Sequence, residues 1–221
     1  MHGPSRFVHR APLIIFAVDL VLVVSFFLAP ATLEPGTVMG LDGRANAMDY
    51  QDTWKDLSPF HYVIYSFGDF NCHQIEHRTI IINGNQMPVC ARDVGIFMGV
   101  LFGAALLARA VVDDSPARTF LSVMPRKFAT NRFVQRRRGI IVALLLVLLI
   151  VPTGLDGGIQ LLSTMDLLPF GLSYESTNPT RLLTGFPMGA AAGILMTTLV
   201  MTLVSRRDDG EPPLLPIVKS R

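Results

Sequence analysis

Charge is scarce in this chain. Asp, Glu, Lys and Arg make up 16% of its 221 residues, and mean hydropathy is +0.44, against about 25% charged residues in ordinary soluble domains. So few charges cannot cover a water-soluble surface of this size. The long apolar runs exclude a disordered chain, and the 15 Pro and 18 Gly follow no collagen-like period. Cysteine is equally sparse. Cys72 and Cys90 are the only two, with no C-x-x-C pair of the kind usual in thiol–disulfide exchange. No internal repeat of the type that builds many transporters is present. The small net charge of +2 conceals a segregation of sign along the chain.

Four stretches are apolar enough to cross a bilayer core, which takes about 17–25 helical residues. They lie at about 12–29, 94–112, 139–155 and 182–204. Pro152 is expected to kink or end the third. The expected fold is an all-α integral membrane protein: one membrane domain over 1–221, four transmembrane helices, and a small extracytoplasmic cap made of a short hairpin and an interfacial helix.

The polar segments alternate in sign. Arg6 and Arg10 precede the first run, whereas residues 31–92 carry seven acidic and four basic residues. Arg118, Arg126, Lys127, Arg132, Arg136, Arg137 and Arg138 crowd the loop 113–138, and Arg206 and Arg207 follow the last run. Excess Lys and Arg on alternate loops marks the cytoplasmic side. Both termini and the basic loop are therefore expected in the cytoplasm, with 31–93 and 156–181 forming an outward cap at the cell membrane. A cleaved signal peptide ending near Ala29-Pro30-Ala31 is the competing reading, but the apolar run is long for one and Pro30 sits within the site. The basic loop has no interleaved aromatics or fold signature for nucleic acid, so anionic lipid is its expected neighbour.

The outward segment has internal organisation. Residues 58–70 place Phe60, Tyr62, Tyr65, Phe67 and Phe70 in a stretch too short to span, as in an interfacial or re-entrant helix. Asn83-Gly84, between two short extended runs, signals a hairpin. A turn centred there sets Cys90 opposite His77, and a helical 72–78 puts His73 and His77 on one face. Cys72, His73, His77, Cys90 and Asp93 are thus expected to meet at the outer mouth of the second span.

Two motifs carry a resemblance. Cys72-His73-Gln74 with Arg78-Thr79, followed by Pro88-Val89-Cys90-Ala91-Arg92 and Gly95, resembles an uncharacterised prokaryotic integral-membrane family, domain of unknown function 2085. Asp156-Gly157, Gln160, Glu175-Ser176, Asn178, Arg181 and Thr184-Gly185 resemble that family's second motif. Asp93 stands where the family often has a cysteine. The resemblance implies that the two polar stretches belong together and carries no function of its own.

Three chemistries fit the first stretch. Cys72 and Cys90 can form a disulfide on an oxidising face. They can bind zinc with His73 or His77 and Asp93, a tetrahedral N/S/O set. One can be a reactive thiolate beside Arg92 at a helix N-terminus. In the second stretch Asp156 and Arg181 can pair across two span ends, and Arg92 with Arg181 can hold an anionic or lipid-linked small molecule. Gln74, Arg78, Gln160, Glu175 and Asn178 complete that candidate ligand set. Asp19, in the middle of the first span, is either a buried packing acid or a proton or cation site. The leading expectation is a membrane protein with an extracytoplasmic Cys/His/Asp metal or ligand site, and the alternatives are a redox or disulfide-stabilised protein and a small transporter or accessory subunit.

Overall fold

The structure, a computed structural model, describes residues 10–44, 46–169 and 172–208. Arg6 and the side chains of Arg206 and Arg207 lie outside the described residues. The helices are α1 (Ala11–Thr32), α2 (Gln51–Lys55), α3 (Pro59–Asn71), α4 (Ala91–Leu107), α5 (Pro116–Leu121), α6 (Arg126–Ala129), α7 (Arg132–Arg136), α8 (Arg138–Thr164) and α9 (Asn178–Asp208). One antiparallel hairpin joins β1 (Thr79–Ile82) to β2 (Asn85–Cys90).

Among the described residues three helices, not four, are long and apolar enough to cross a membrane: α1, α8 and α9. The expected span at 94–112 is instead the 17-residue α4, which stops at Leu107. Beyond it Ala108 and Arg109 form a turn, so the apolar letters up to Val112 belong to a connection rather than to the helix. The third span is longer than expected. Pro152 lies inside α8, which continues for another twelve residues to Thr164. A proline removes one backbone hydrogen bond without ending a helix that neighbours support; at the next residue Thr153 Oγ1 donates to the Thr184 carbonyl of α9.

Glycine sets the spacing of α4 and α9. A Cβ at Gly95, Gly99 or Gly103 would run into the backbone of Leu182, Phe186 or Ile194. On the facing helix, a Cβ at Gly185, Gly189 or Gly193 would run into Arg92, Ile96 or Val100. The two small-residue ridges interlock, so the backbones touch, as is usual where helices pack without a hydrophobic driving force. Asp19 of α1 is 6% exposed, with Oδ2 unpartnered among the described residues. It faces an apolar crevice lined by Val18, Phe97, Val100 and Met196.

Two apolar clusters mark the ends of the bundle. Ala11, Leu107, Phe120, Val142 and Met201 form one, joining the start of α1, the end of α4, the start of α8 and the end part of α9. Phe26, Trp54, Tyr65, Met87, Val89 and Val94 form the other, under the cap. Two buried amides zip the irregular segment 33–44 onto the hairpin. Asn85 Oδ1 accepts from Val38 N at 3.0 Å, and Gln86 Oε1 accepts from Leu41 N at 3.0 Å. Asp69, fully buried on α3, accepts from Trp54 Nε1 and from the Asp49 and Tyr50 amides, which anchors α2.

Candidate functional site

The hairpin turns at Asn83-Gly84, both with positive φ (51° and 69°), the geometry of a type I′ turn. Its register differs from the expected one. Ile82 pairs with Asn85 and Ile81 with Gln86, but a bulge follows and Cys90 lies opposite Thr79, not His77. Pro88 lies in the bulged stretch of β2; it has no N–H to give the ladder, and such positions are confined to bulges and edges.

Nor are residues 72–78 one helix. Cys72 to Ile75 are extended or irregular, Gln74 has a φ of 50°, and only Glu76–Arg78 make a 3-10 turn. His73 and His77 therefore part company. His77 Nε2 is 2.6 Å from Glu175 Oε1 at an exposed position. His73 is exposed on the rim of the pocket described below.

What comes together is Cys72, Cys90 and Asp93, whose ligand atoms lie within 4.8 Å of one another. Both thiols are free. Cys90 occupies the N-cap position of α4 without a side-chain cap bond, and its sulfur donates to Asp93 Oδ2 at 3.0 Å, three residues on. Cys90 N donates to Cys72 Sγ at 3.3 Å. The Cys72 thiol is pushed well above the usual thiol range, first by its hydrogen bond with Cys90, then by burial and by the nearby Asp93 charge.

This group opens on a pocket of about 260 Å³. Gln74, Arg78, Arg92 and Arg181 line its other walls. Gln74 is fully buried in a strained backbone conformation; Nε2 donates to the Pro88 carbonyl, and Oε1 has no partner among the described residues. Gly68 makes room for this, since a Cβ there would meet the same Pro88 carbonyl.

The second stretch packs alongside, with a different pairing from the expected one. Asp156 does not bond Arg181. Its carboxylate accepts from Arg92, from Tyr174 Oη at 2.7 Å and from Ser176 Oγ at 3.0 Å. Arg92 reaches it from the first turn of α4, with its guanidinium lying near Gly157 of α8. The Tyr174 phenol is held above its usual range by that carboxylate. Arg181, 2% exposed, instead donates to Gln160 Oε1 at 3.0 Å and to the Ser176 carbonyl at 2.9 Å. Asn178 Nδ2 reaches across to the Thr79 carbonyl at 3.1 Å, tying the start of α9 to the hairpin.

Of the expected residues, His77, Gln160, Glu175 and Asn178 thus stand outside the pocket wall and support it or line a neighbouring cleft. Asp69, Tyr174, Ser176, Asn85 and Gln86 were not foreseen. Tyr174 and Ser176 flank Glu175 inside the second motif, a signal that was available. Nothing local marks Asn85, Gln86 or Asp69 as buried.

Residues 72–195, more than half of the chain, match the family described as Predicted membrane protein (DUF2085). The chain belongs to that family. A relative in Methanocaldococcus jannaschii, named only as an uncharacterized protein, is 28% identical over 177 residues, covering 80% of this chain and 84% of the relative. Another uncharacterized protein, from Methanothermobacter thermautotrophicus, is 30% identical over 128 residues, covering 58% of this chain and 86% of its own. No solved structure matches. The family match begins at Cys72 and takes in every side chain of the thiol group and of the arginine walls.

Proposed function

We propose that this membrane protein holds a zinc ion between Cys72, Cys90 and Asp93 on its extracytoplasmic side, beside an arginine-walled pocket for a small ligand. The observation that carries the reading is the convergence of two sulfurs and a carboxylate within 4.8 Å at the wall of that pocket. Thiolate and carboxylate ligands at about 2.3 Å and about 2.0–2.2 Å from zinc sit roughly 3.5–3.8 Å apart in a tetrahedron. The group needs little rearrangement to reach that. Three protein ligands would leave a fourth position, and all three line the pocket. Such an open position can take a ligand or activate a water.

The sidedness rests on charge. The start of α1, the end of α4 and the start of α8 share one apolar cluster, and the basic segment 113–138 lies between α4 and α8 at that same end. Cationic segments stay in the cytoplasm, which puts the hairpin and the thiol group outside. A redox pair is the second reading, favoured by the contact between the two sulfur-bearing residues. The lack of a C-x-x-C pair argues against it.

The test is metal analysis of the purified protein. About one equivalent of zinc, lost in Cys90→Ser and in Asp93→Ala, supports the centre; cobalt in its place should show thiolate charge-transfer absorption. Metal-free protein with both thiols open to alkylation refutes it. Thiols blocked until reduction would instead establish the disulfide.

A further inference from the structure

We infer that the pocket beside the thiol group binds a phosphate dianion or phosphate monoester end, held by Arg78, Arg92 and Arg181. This rests on the outward placement of that pocket and uses the open zinc position, but the arginines are its main support.

The charge of the walls comes first. Three guanidinium groups line the pocket against one carboxylate, Asp93. Zinc does not change this balance: two thiolates and Asp93 around a divalent ion carry the same net −1 as Asp93 with two neutral thiols. Arg92 is offset by Asp156 behind it, and Arg78 has only Glu175 at 3.8 Å, half exposed. Arg181 has no carboxylate partner among the described residues. Its bonds go to two neutral oxygens, yet it is 98% buried, as its 2% exposure shows. A buried cation without a counter-charge is costly, and evolved sites seat one opposite it. An anion in the pocket supplies that charge.

Shape and hydrogen bonding narrow the class. Guanidinium forks match phosphate oxygens two at a time, and converging arginines are the usual means of holding such groups. Gln74 and Arg92 belong to the wall, and each has one buried atom, Oε1 and Nε, without a partner among the described residues. A phosphate or its monoester carries up to two negative charges to set against Arg78 and Arg181; a carboxylate carries one. The volume of about 260 Å³ is below the roughly 300–1,000 Å³ of pockets for drug-sized ligands. It admits a phosphate head and leaves the remainder of an ester outside, at the level where a lipid headgroup or a soluble ester can both approach.

The experiment is equilibrium binding of inorganic phosphate to zinc-loaded full-length protein in phosphatidylcholine nanodiscs, repeated in nanodiscs doped with phosphatidic acid. Metal content is measured on the same samples. Saturable phosphate binding, weakened about 10- to 100-fold in Arg78→Gln and in Arg181→Gln with zinc retained, supports the inference. Arg78 is partly exposed, so its variant should fold even where Arg181→Gln does not. Loss of phosphate binding in the doped discs identifies the headgroup as a competing source, and unchanged binding identifies the free ion or a soluble ester. Zinc-loaded protein that binds no phosphate in plain discs, or binds it equally well in both variants, overturns the inference and leaves the zinc centre standing. Phosphate bound by protein that takes up no zinc does the reverse.

Discussion

Removing the charge of Asp156 tests whether the two remote stretches are one unit. Asp156 lies on α8 with 6% exposure, and its carboxylate is the meeting point of Arg92 from α4 with Tyr174 and Ser176 from the α8–α9 connection. Asp156→Asn keeps the shape and turns one acceptor oxygen into a donor. It forfeits a charge-assisted bond of about 1.5–3 kcal/mol and leaves a neutral amide facing the guanidinium. Arg92 keeps 20% side-chain exposure, so water offsets part of this, and a loss of about 2 kcal/mol is expected. For a chain of this length, about 2–4 °C per kcal/mol gives a drop of roughly 4–8 °C in the melting temperature of the detergent-solubilised protein.

The decisive form is a double-mutant cycle. Arg92→Met alone strands Asp156 with only hydroxyl donors; the double variant removes both charges. Because the partners touch, the double variant should be more stable than the sum of the single losses by at least about 1 kcal/mol. Additivity within about 0.3–0.5 kcal/mol would mean the pair is not formed. The site would then lose the contact that aims Arg92 at the pocket.

Two further outcomes follow from the same geometry. Gly189→Ala places a Cβ against the Ile96 backbone and should cost about 1–3 kcal/mol, whereas Gly139→Ala, which meets nothing within 4 Å, should be neutral or slightly stabilising; equal melting temperatures for the two would refute the interlocked ridges. In metal-free protein Cys72 keeps its proton above the ordinary thiol value of about 8.5, so the unfolded chain ionises first and stability falls as pH rises past that value. Thermal melts between about pH 8.5 and 9.5, below the onset of tyrosine ionisation near 10, should show a decline that Cys72→Ala removes.

How much of this was legible in the letters depends on the range of each interaction. Helix identity was local and readable: apolar runs gave α1, α8 and α9, and Asn83-Gly84 gave the hairpin. The length of α4 was not, because Ala108, Ala110, Val111 and Val112 continue the apolar run around Arg109 alone, and the turn at Ala108 and Arg109 ends the helix. The register failed at Pro88, whose missing donor shifted Cys90 by two positions along β1. Metal-ligand grouping failed for the histidines for a related reason. An i, i+4 pairing presumes a helix, and Gln74 at positive φ breaks it between His73 and His77. The partner of Asp156 was a choice between two arginines on different helices, and spacing along the chain has no information on which helix face comes nearer.

The division of labour within the hairpin end of the bundle follows from where its bonds close. Segment 33–71 contributes buried groups that bond to backbone or to one another: Asp69 to Trp54, Tyr65 Oη to the Gln86 carbonyl. Those contacts are satisfied internally, with Ser66 Oγ the buried unpartnered exception among the described residues of the segment. The wall of the pocket is different. Gln74 Oε1 and Arg92 Nε are buried and unpartnered, and Arg181 is buried without a counter-charge. A fold carries such unfinished polar groups only at a net cost, and all three belong to residues that line one small volume. Cys72, Cys90 and Asp93 close that volume on its remaining side. Their unmet hydrogen-bonding and charge requirements are complementary to a cation on the thiol wall and an oxyanion on the arginine wall, which is why the metal content and the phosphate affinity of one preparation decide the function together.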